Sequence, residues 1–318
     1  MPLFEELKVF SGNANKRLAT DICDYLGMPL GKAEVFKFSN DNTFVRILEN
    51  VRQRDVFLVQ SFSMPANDHV MELLIMIDAC KRASAGRVTA VIPYYGYGRT
   101  DKKDQPRVPI TARLLADLLT TAGADRVLTV DLHAGQIQGF FSIPVDELTA
   151  LPLLTSYFKA LELPHPVAVA VDIGISKRAR DFAEKLAVPL AIVEKRRVAG
   201  NVDRTELLNI IGEVQGKTAI LMDDEVDTAG SMVNAAKALL DAGVREVYGC
   251  CTHAVLSGPA APRLLQSPIK ELVTTDTVPV PPERRDGKVK VVSVAALLGE
   301  AIHRIHSGLS VGAMFDTN

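Results

Sequence analysis

Residues 223–231, DDEVDTAGS, place four acidic residues and then four small ones between the apolar run TAILM and a helical pattern. Loops at the carboxyl ends of parallel strands are where such sheets bind ligands, and small residues that open a helix expose backbone N–H groups to a phosphate. The adjacent carboxylates of Asp223 and Asp224 repel a phosphate, but they can accept hydrogen bonds from vicinal sugar hydroxyls. The alternative is an ordinary acidic loop with a helix cap. The pattern predicts a ribose phosphate site formed by Asp223, Asp224, Asp227, Thr228, Ala229, Gly230 and Ser231.

A second group of charges, Lys195, Arg196 and Arg197, follows the apolar run LAIVE. Phosphoryl transfer needs little covalent help and much electrostatic help, so cations at this place could serve catalysis. The alternative is a solvated charge run at the end of a strand.

Two single residues, His133 and Asp172, come directly after or at the end of predicted strands. A histidine at the carboxyl end of a strand could ligate a metal ion or contact a phosphate there. A structural role is the alternative for His133. Because Mg²⁺ prefers oxygen ligands, a contact of His133 with this ion through water is as plausible as direct ligation.

Cations crowd the segment that begins with Arg99, Thr100 and Asp101, since Lys102, Lys103, Arg107 and Arg113 follow. These residues could belong to a functional loop, and a solvated basic face is the alternative. The polar stretch FSNDN at residues 38–42 is, taken alone, only a turn.

Short β-rich runs alternate with helical patterns along the chain, which predicts an α/β fold with mainly parallel sheets covered by helices. The predicted strands are 8–10, 33–38, 56–60, 88–92, 127–132, 167–172, 190–194, 218–223, 246–253, 271–275 and 289–292. The clearest predicted helices are 68–85, 111–122 and 231–242, ending at Gly86, Gly123 and Gly243.

One pattern occurs twice, in LLTTAGADRVLTVDLH and ALLDAGVREVYGCCTH. Gly123 and Gly243 are 243 − 123 = 120 positions apart, as are His133 and His253, where 253 − 133 = 120. This favours two related α/β halves. Chance matching of a common helix–glycine–strand unit is the alternative. We place the boundary between residues 149 and 150, giving domains 1–149 and 150–318.

The chain of 318 residues is long enough for two domains, and its 36 basic and 38 acidic residues give a net charge of −2. The net charge therefore offers no attraction to nucleic acid. The sequence contains no run of eighteen apolar residues, so it does not predict a membrane span. The four cysteines show no CxxC spacing, and MPLFEELKVF has no signal pattern. We expect a cytoplasmic location.

Residues 223–231 resemble the ribose-phosphate loop of type I phosphoribosyltransferases and of the ribose-phosphate diphosphokinase family. VDLHAGQIQGFF, RTDKKDQPRVPIT and EKRR resemble the diphosphokinases specifically, and the resemblance extends from FSGNAN to SVGAMF. It implies two type I phosphoribosyltransferase-like domains. It also implies transfer of the β,γ-diphosphoryl group of ATP to the C1 hydroxyl of ribose 5-phosphate, with release of AMP.

The resemblance assigns roles to residues that the patterns left open. It implies that Lys195 and Arg197 are catalytic, that His133 and Asp172 hold the Mg²⁺ of ATP, and that the cofactor is Mg²⁺. It implies ATP binding by Phe38, Asn40, Asp41, Asn42, Arg99, Thr100 and His133. It further implies a hexamer with ADP and phosphate as effectors, and residues 310–315, SVGAMF, resemble part of the regulatory site.

This sequence departs from the family pattern at several of these places. Asn42 stands where the family usually has Glu, Thr100 where it has Gln, and Gly312 where a serine is expected. The residues around Asp172 also differ, because Ile173 and Ile175 replace smaller residues. A phosphoribosyltransferase and a catalytically weak regulatory relative therefore remain as alternatives to an active diphosphokinase.

Overall fold

The computed structural model describes residues 4, 6–197, 206–285 and 287–315, without the side chains at 195–197 and 206–208. The described strands are β1 (Leu7–Ser11), β2 (Ala33–Lys37), β3 (Thr43–Ile47), β4 (Asp55–Val59), β5 (Arg87–Ile92), β6 (Arg126–Val130), β7 (Val145–Leu148), β8 (Pro166–Ala170), β9 (Leu190–Arg197), β10 (Glu206–Ile211), β11 (Thr218–Val226), β12 (Glu246–Ala254), β13 (Ile269–Thr275) and β14 (Val289–Val292). The described α-helices are α1 (Lys16–Leu26), α2 (Ala66–Arg82), α3 (Thr111–Ala122), α4 (Leu151–Ala160), α5 (Ser176–Leu186), α6 (Gly230–Asp241), α7 (Ala260–Leu265) and α8 (Ala295–Ser307). None of these helices is long and apolar enough to span a membrane.

The chain forms two compact units. The first unit comprises Met1–Thr149, Thr277–Pro279 and Ser293–Asn318, and the second comprises Ala150–Asp276 and Val280–Val292. Each has its own apolar core around a sheet. The predicted α/β class is confirmed in both units.

The first unit is built on a parallel sheet whose described strands follow the order β1-β4-β5-β6-β7. All five residues of β4, DVFLV, are buried, as expected for a central strand that helices cover on both faces. An antiparallel hairpin of β2 and β3 lies apart from this sheet. The carboxyl ends of the parallel strands therefore share one edge, where loops can bring distant residues together.

The second unit has a sheet whose described strands follow the order β10-β9-β8-β11-β12-β13-β14. All neighbouring strands are parallel except β10, which is antiparallel to β9 at the edge. β11 lies between β8 and β12, and its first five residues are buried. The loop that leaves β11 thus starts from a buried strand that is paired on both sides.

The sequence did not predict β3, β7 and β10. Each lies outside the buried parallel pattern on which the strand predictions were based: β3 pairs only in the hairpin, and β7 and β10 are edge strands. β7 has the sequence VDEL, whose adjacent acidic residues disfavour a strand assignment.

Two of the three predicted glycine helix ends are confirmed. Gly123 follows α3 with φ +106°, and Gly243 lies just beyond α6 with φ +86°. The third is wrong, because the left-handed position after α2 is Ser84, with φ +63°. Gly86 has another role, since a Cβ there would lie 2.6 Å from the ring of Phe4.

The repeated sequence pattern corresponds to a repeated structure up to its last residue. Both copies form a helix, a left-handed glycine and a parallel strand, and Val127 and Val247 are buried at the same position of β6 and β12. The histidines differ, because β6 ends before His133, which is exposed, whereas His253 is buried inside β12. Only the first histidine is open to a ligand in these described segments.

The C-terminal limit of the predicted second domain is wrong. Residues 293–318, which carry α8, belong to the first unit. The reason is a buried ion cluster: Arg87 donates to both carboxylate oxygens of Asp55 and also, at 3.0 Å, to the carbonyl of Ile305. His306 of α8 contacts the same carboxylate at 3.0 Å. A Tyr25–Glu300 hydrogen bond of 3.0 Å also joins α1 to α8, and sequence periodicity gives no sign of such long-range pairs.

Candidate active site

The acidic stretch lies at the end of β11, which continues through Val226 rather than ending at residue 223. Asp223 pairs with Cys251 of β12, and Asp224 is only 6% exposed. The backbone N–H of Asp224 donates to the Asp223 carboxylate at 2.9 Å. These carboxylates are therefore held by the strand itself and not by a loose loop.

Asp172 joins this pair from the neighbouring strand. β8 ends at Ala170, and the N–H of Val171 still donates to the carbonyl of Met222 on β11, at 3.3 Å. Burial, then the charge and hydrogen bonding of Asp224, and then the charge of Asp172 raise the pKa of Asp223 well above its ordinary value. The fold thus gathers three carboxyl groups at one sheet edge, an arrangement that favours a partner that is cationic or rich in hydroxyl groups.

The bulky residues beside Asp172 do not distort the turn that follows it. Ile175 has φ −89° and is buried in the core, while Ile173 is exposed. The N–H of Ile175 donates to Asp172 Oδ1 at 3.2 Å, which closes the turn before α5. Positive φ angles are therefore not required at either isoleucine.

The small residues 227–230 form the turn from β11 into α6. Ala229 is buried and left-handed, with φ +60°, and its methyl group cannot cap the helix that begins at Gly230. A non-glycine residue in this conformation costs free energy that surrounding contacts must offset. The first turn of α6 therefore presents a helix N-terminus without the usual side-chain cap from the preceding residue, a geometry suited to an anion.

A second segment, residues 255–263, consists of the loop after β12 and the first residues of α7, supports this turn and was missed by the sequence analysis. The N–H groups of Leu256 and Ser257 donate to the carbonyls of Val226 at 3.1 Å and Asp227 at 3.0 Å. The Ser257 hydroxyl donates to the Asp227 carboxylate. Arg263 donates from Nη1 to the carbonyl of Thr228 at 2.7 Å. The Asp227 side chain is thus committed to holding the loop.

The predicted catalytic residues Lys195 and Arg197 belong to β9, which extends past residue 194. Their backbones pair with β10, residue 195 opposite Leu208 and residue 197 opposite Glu206. Their side chains lie outside the described part of the chain. The catalytic assignment remains a prediction.

In the first unit, residues 38–42 form the tip of the β2–β3 hairpin. The N–H of Phe38 donates to the carbonyl of Asn42, and that of Asp41 to the carbonyl of Phe38, both at 2.9 Å. Asn40 accepts from the N–H of Asn42 at 3.2 Å. The Phe38 ring is 49% exposed and packs edge-on against Phe44. An exposed aromatic face on a closed turn is a suitable surface for stacking a planar base.

The loop after β5 carries Arg99 and Thr100. The Thr100 hydroxyl donates to the carbonyl of Tyr97 at 2.7 Å, so its proton is already used within the loop. The buried carboxylate of Asp101 accepts from Gln136 Nε2 at 2.6 Å, which ties this loop to the segment after His133. A Cβ on Gly98 would lie 3.3 Å from the Cβ of His133, so the two segments are in close contact.

The first turn of α2 links the hairpin tip to this loop. Asp68 pairs with Lys37, the residue before Phe38, at 2.9 Å. Asn67 accepts a hydrogen bond from the Tyr97 hydroxyl, two residues before Arg99. The fold therefore brings residues 38–42, residues 99–101 and His133 toward one edge of the first unit, although they are far apart in sequence.

Within the described residues, no group of three or more His, Cys, Asp or Glu side chains is arranged to hold a metal ion. This does not test the predicted contacts of His133 and Asp172 with Mg²⁺. That ion is usually bound by one or two carboxylates together with water and substrate phosphates rather than by an all-protein cage.

Comparisons with known proteins agree along the whole chain. Residues 7–123 match a model described as the N-terminal domain of ribose phosphate pyrophosphokinase, and residues 199–316 match the phosphoribosyl synthetase-associated domain. The ribose-phosphate pyrophosphokinase of Caldanaerobacter subterraneus subsp. tengcongensis is 57% identical over 310 residues, which cover 97% of this chain and 98% of that protein. The one from Clostridium tetani is 53% identical over 315 residues, covering 98% of each.

A solved structure agrees with these sequence matches. The phosphoribosylpyrophosphate synthetase from Mycobacterium smegmatis superposes with a TM-score of 0.89 at 41% identity, covering 95% of this chain and 99% of that one.

Proposed function

Because the chain belongs to the ribose-phosphate pyrophosphokinase family, we propose that it converts ATP and ribose 5-phosphate into 5-phosphoribosyl 1-diphosphate and AMP. The C1 hydroxyl oxygen attacks the β-phosphorus of ATP and loses its proton. The bond between that phosphorus and the α,β-bridging oxygen breaks, and AMP leaves with this oxygen. The observation that carries the proposal is the turn at residues 223–231, where paired carboxylates precede a helix start suited to a phosphate.

Residues 223–231 bind the sugar phosphate in two ways. Asp223 and Asp224 accept hydrogen bonds from the ribose hydroxyls, because carboxylates are the strongest acceptors available to them. Residues 228–231 bind the 5-phosphate through backbone N–H groups at the start of α6. Asp227 acts indirectly, since its carboxylate is bonded to Ser257.

Residues of the first unit bind ATP. The exposed Phe38 ring stacks on adenine, and the hairpin tip of Asn40, Asp41 and Asn42 supplies polar groups to its edge. Arg99 and His133 contact the phosphates. Thr100 contributes through backbone and shape, because its hydroxyl donates to Tyr97.

Lys195 and Arg197 neutralise the charge that develops on the diphosphoryl group as it is transferred. Groups of this kind act on the transition state more than on bound ATP, so they raise turnover rather than affinity.

Magnesium is the proposed cofactor. The residues fit it, because Asp172 would supply an oxygen ligand near Asp223, and burial together with the charges of Asp224 and Asp172 raises the pKa of Asp223, so a cation there would offset negative charge. A contact of His133 with Mg²⁺ through water remains a prediction from the sequence. When bound, Mg²⁺ offsets charge on the ATP phosphates. The hexamer, the ADP and phosphate effectors and the cytoplasmic location remain predictions from the sequence.

The experiment that tests the proposal measures both products. The chain is incubated with ATP, Mg²⁺ and ribose 5-phosphate, and AMP and 5-phosphoribosyl 1-diphosphate are quantified by chromatography. We expect equal amounts of the two. Unphosphorylated ribose in the same assay should give little product, because it lacks the group that residues 228–231 bind. AMP without the sugar diphosphate would contradict the proposal.

A further inference from the structure

The segment of residues 255–263, a loop that continues into α7, makes hydrogen bonds to three successive carbonyls at the phosphate-binding turn, those of Val226, Asp227 and Thr228. The first two contacts come from the backbone of this loop and do not depend on side-chain identity. The third comes from the guanidinium of Arg263, at 2.7 Å from the Thr228 carbonyl. Of these three contacts, the one from the Arg263 side chain is therefore the one that a substitution can remove selectively.

The guanidinium of Arg263 also lies against the start of α6. A Cβ on Gly230 would be 3.2 Å from Nη1 of Arg263, closer than most such contacts. Gly230 does not have a left-handed φ, so its backbone conformation does not call for glycine. The nearby guanidinium gives a physical reason for glycine at this position.

Arg263 extends from a segment that is itself fixed. Lys288 donates to the carbonyls of Leu264 at 3.3 Å and Ser267 at 2.8 Å, which hold the end of α7. The N–H of Arg263 donates to the carbonyl of Pro259 at 3.0 Å. The backbone from which the guanidinium extends is therefore held in place.

The bond to Thr228 affects the conformation of the next residue. In a planar trans peptide, the C=O of one residue and the N–H of the next point in opposite directions. Holding the Thr228 carbonyl toward Arg263 therefore aims the Ala229 N–H to the other side of the turn. It also supports Ala229 in its unfavourable left-handed conformation.

We propose that Arg263 is a positioning residue for the sugar phosphate: it holds the turn at Thr228–Gly230 in the conformation that binds the 5-phosphate. The inference rests on the proposed function, since it assumes that residues 228–231 bind ribose 5-phosphate. Arg263 acts through the turn rather than by touching the reacting atoms. Loss of the Arg263 side chain should therefore weaken the binding of ribose 5-phosphate more than the binding of ATP.

The test compares Arg263→Met and Arg263→Lys with the wild-type chain. Methionine keeps an apolar stem without donor or charge, and we expect it to raise the KM for ribose 5-phosphate about tenfold. The KM for ATP should change by less than about twofold, because Arg263 lies in the second unit, whereas the residues proposed to bind ATP lie in the first. Lysine keeps a charged donor with a different shape and should give an intermediate value.

Arg285→Met is the matched control. Arg285 also donates to a backbone carbonyl of the second unit, that of Val280 at 3.0 Å, but it does not contact the turn. We expect its KM for ribose 5-phosphate to match the wild type. Equal KM values in Arg263→Met and wild type would overturn the inference, as would a rise in both substrate KM values together with a lower melting temperature, which indicates a merely structural role.

Equilibrium binding separates this inference from the proposed function. Ribose 5-phosphate is titrated into the wild-type chain and the Arg263→Met variant in a calorimeter. If the wild type binds the sugar phosphate without making product and the variant binds it about tenfold more weakly, the proposed function fails and the inference stands. If the wild type makes product and the variant binds equally well, the inference alone fails. If the wild type does not bind it, both fail.

Discussion

The carboxylates of Asp223 and Asp224 in the second unit lie at the end of a central strand, and Asp224 is only 6% exposed. In the first unit, the ring of Phe38 is 49% exposed at the tip of a hairpin, and Asp41 beside it pairs with Lys37 in solvent. The two regions are proposed to bind the two substrates of one reaction. They differ in how firmly the fold holds their polar groups.

This difference indicates where substitutions are tolerated. In the second unit, a changed side chain disturbs a buried group with fixed partners. In the first unit, the turn at 38–42 is closed by backbone hydrogen bonds, which any side chain at Asn42 allows. The departures of this chain from the family pattern at Asn42 and Thr100 both lie in the more exposed unit.

The largest effect should come from the second unit, at Lys195. Lys195→Ala should lower kcat by at least about 10² to 10³, by analogy with the loss of one preorganised electrostatic donor. ATP affinity should change much less. Arg197→Ala should behave similarly. Arg196→Ala should have a mild effect, because alternate residues of a strand lie on opposite faces, which separates residue 196 from residues 195 and 197 along β9. Single-turnover rates together with ATP binding check this ordering. Normal turnover in Lys195→Ala with loss in Arg196→Ala would show that the assigned register is wrong.

The next effect concerns affinity for the sugar. Asp223→Asn and Asp224→Asn should each raise the KM for ribose 5-phosphate by about tenfold or more, because hydrogen bonds to charged groups contribute roughly 1.5 to 3 kcal/mol. The KM for ATP should change less. Initial rates at varied concentrations of each substrate give both values.

Two control variants belong to this measurement. Asp241→Asn, at the exposed end of α6, should leave both KM values unchanged. Asp41→Asn in the hairpin of the first unit should alter the KM for ATP by no more than about threefold, because surface charges contribute little. Equal effects of Asp223→Asn on both substrates would contradict its assignment to the sugar.

Asp223→Asn should also have a smaller effect on stability. This effect should be favourable, although the same change weakens binding of the sugar phosphate. Because the pKa of Asp223 is raised on folding, the folded chain binds more protons than the unfolded chain between the ordinary and the raised pKa. Stability therefore falls as pH rises through this window. At higher pH Asp223 is ionised in the folded chain, and the whole destabilisation remains. Asp223→Asn should raise the melting temperature at pH 7 by about 2 to 4 °C, measured in EDTA without substrates. The gain should shrink as the pH approaches the ordinary value for Asp. A lower melting temperature at pH 7 would contradict this account.

The sequence predicted the parts that depend on local pattern. Buried parallel strands such as β11 and the glycine after α3 follow from apolar runs and helix-end signals, and the loop at 223–231 follows from its position between a strand and a helix. It could not predict that Asp172 approaches Asp223, because strand order is not written in either segment. Arg263 was missed for the same reason: it contacts Thr228 across 35 positions through a backbone carbonyl, which leaves no sequence signature. The placement of α8 likewise depends on Asp55 and Arg87, far from it in sequence.

The smallest effect should lie outside both substrate regions, at the C-terminal segment of the first unit. Arg304 donates to the carbonyl of Ser310 at 3.0 Å, and the Ser310 hydroxyl accepts from the N–H of Ala313 at 3.3 Å. A Cβ on Gly312 would lie 3.5 Å from the Ser310 oxygen, an ordinary contact, so a serine fits without displacing its neighbours. If this segment binds phosphate as the family resemblance implies, Gly312→Ser adds one hydroxyl donor and should increase activation by phosphate about twofold to threefold. Titration of phosphate at fixed substrate concentrations measures this, with Gly312→Ala as the control that adds the Cβ without the donor. An unchanged phosphate response in Gly312→Ser would remove this segment from the regulatory site.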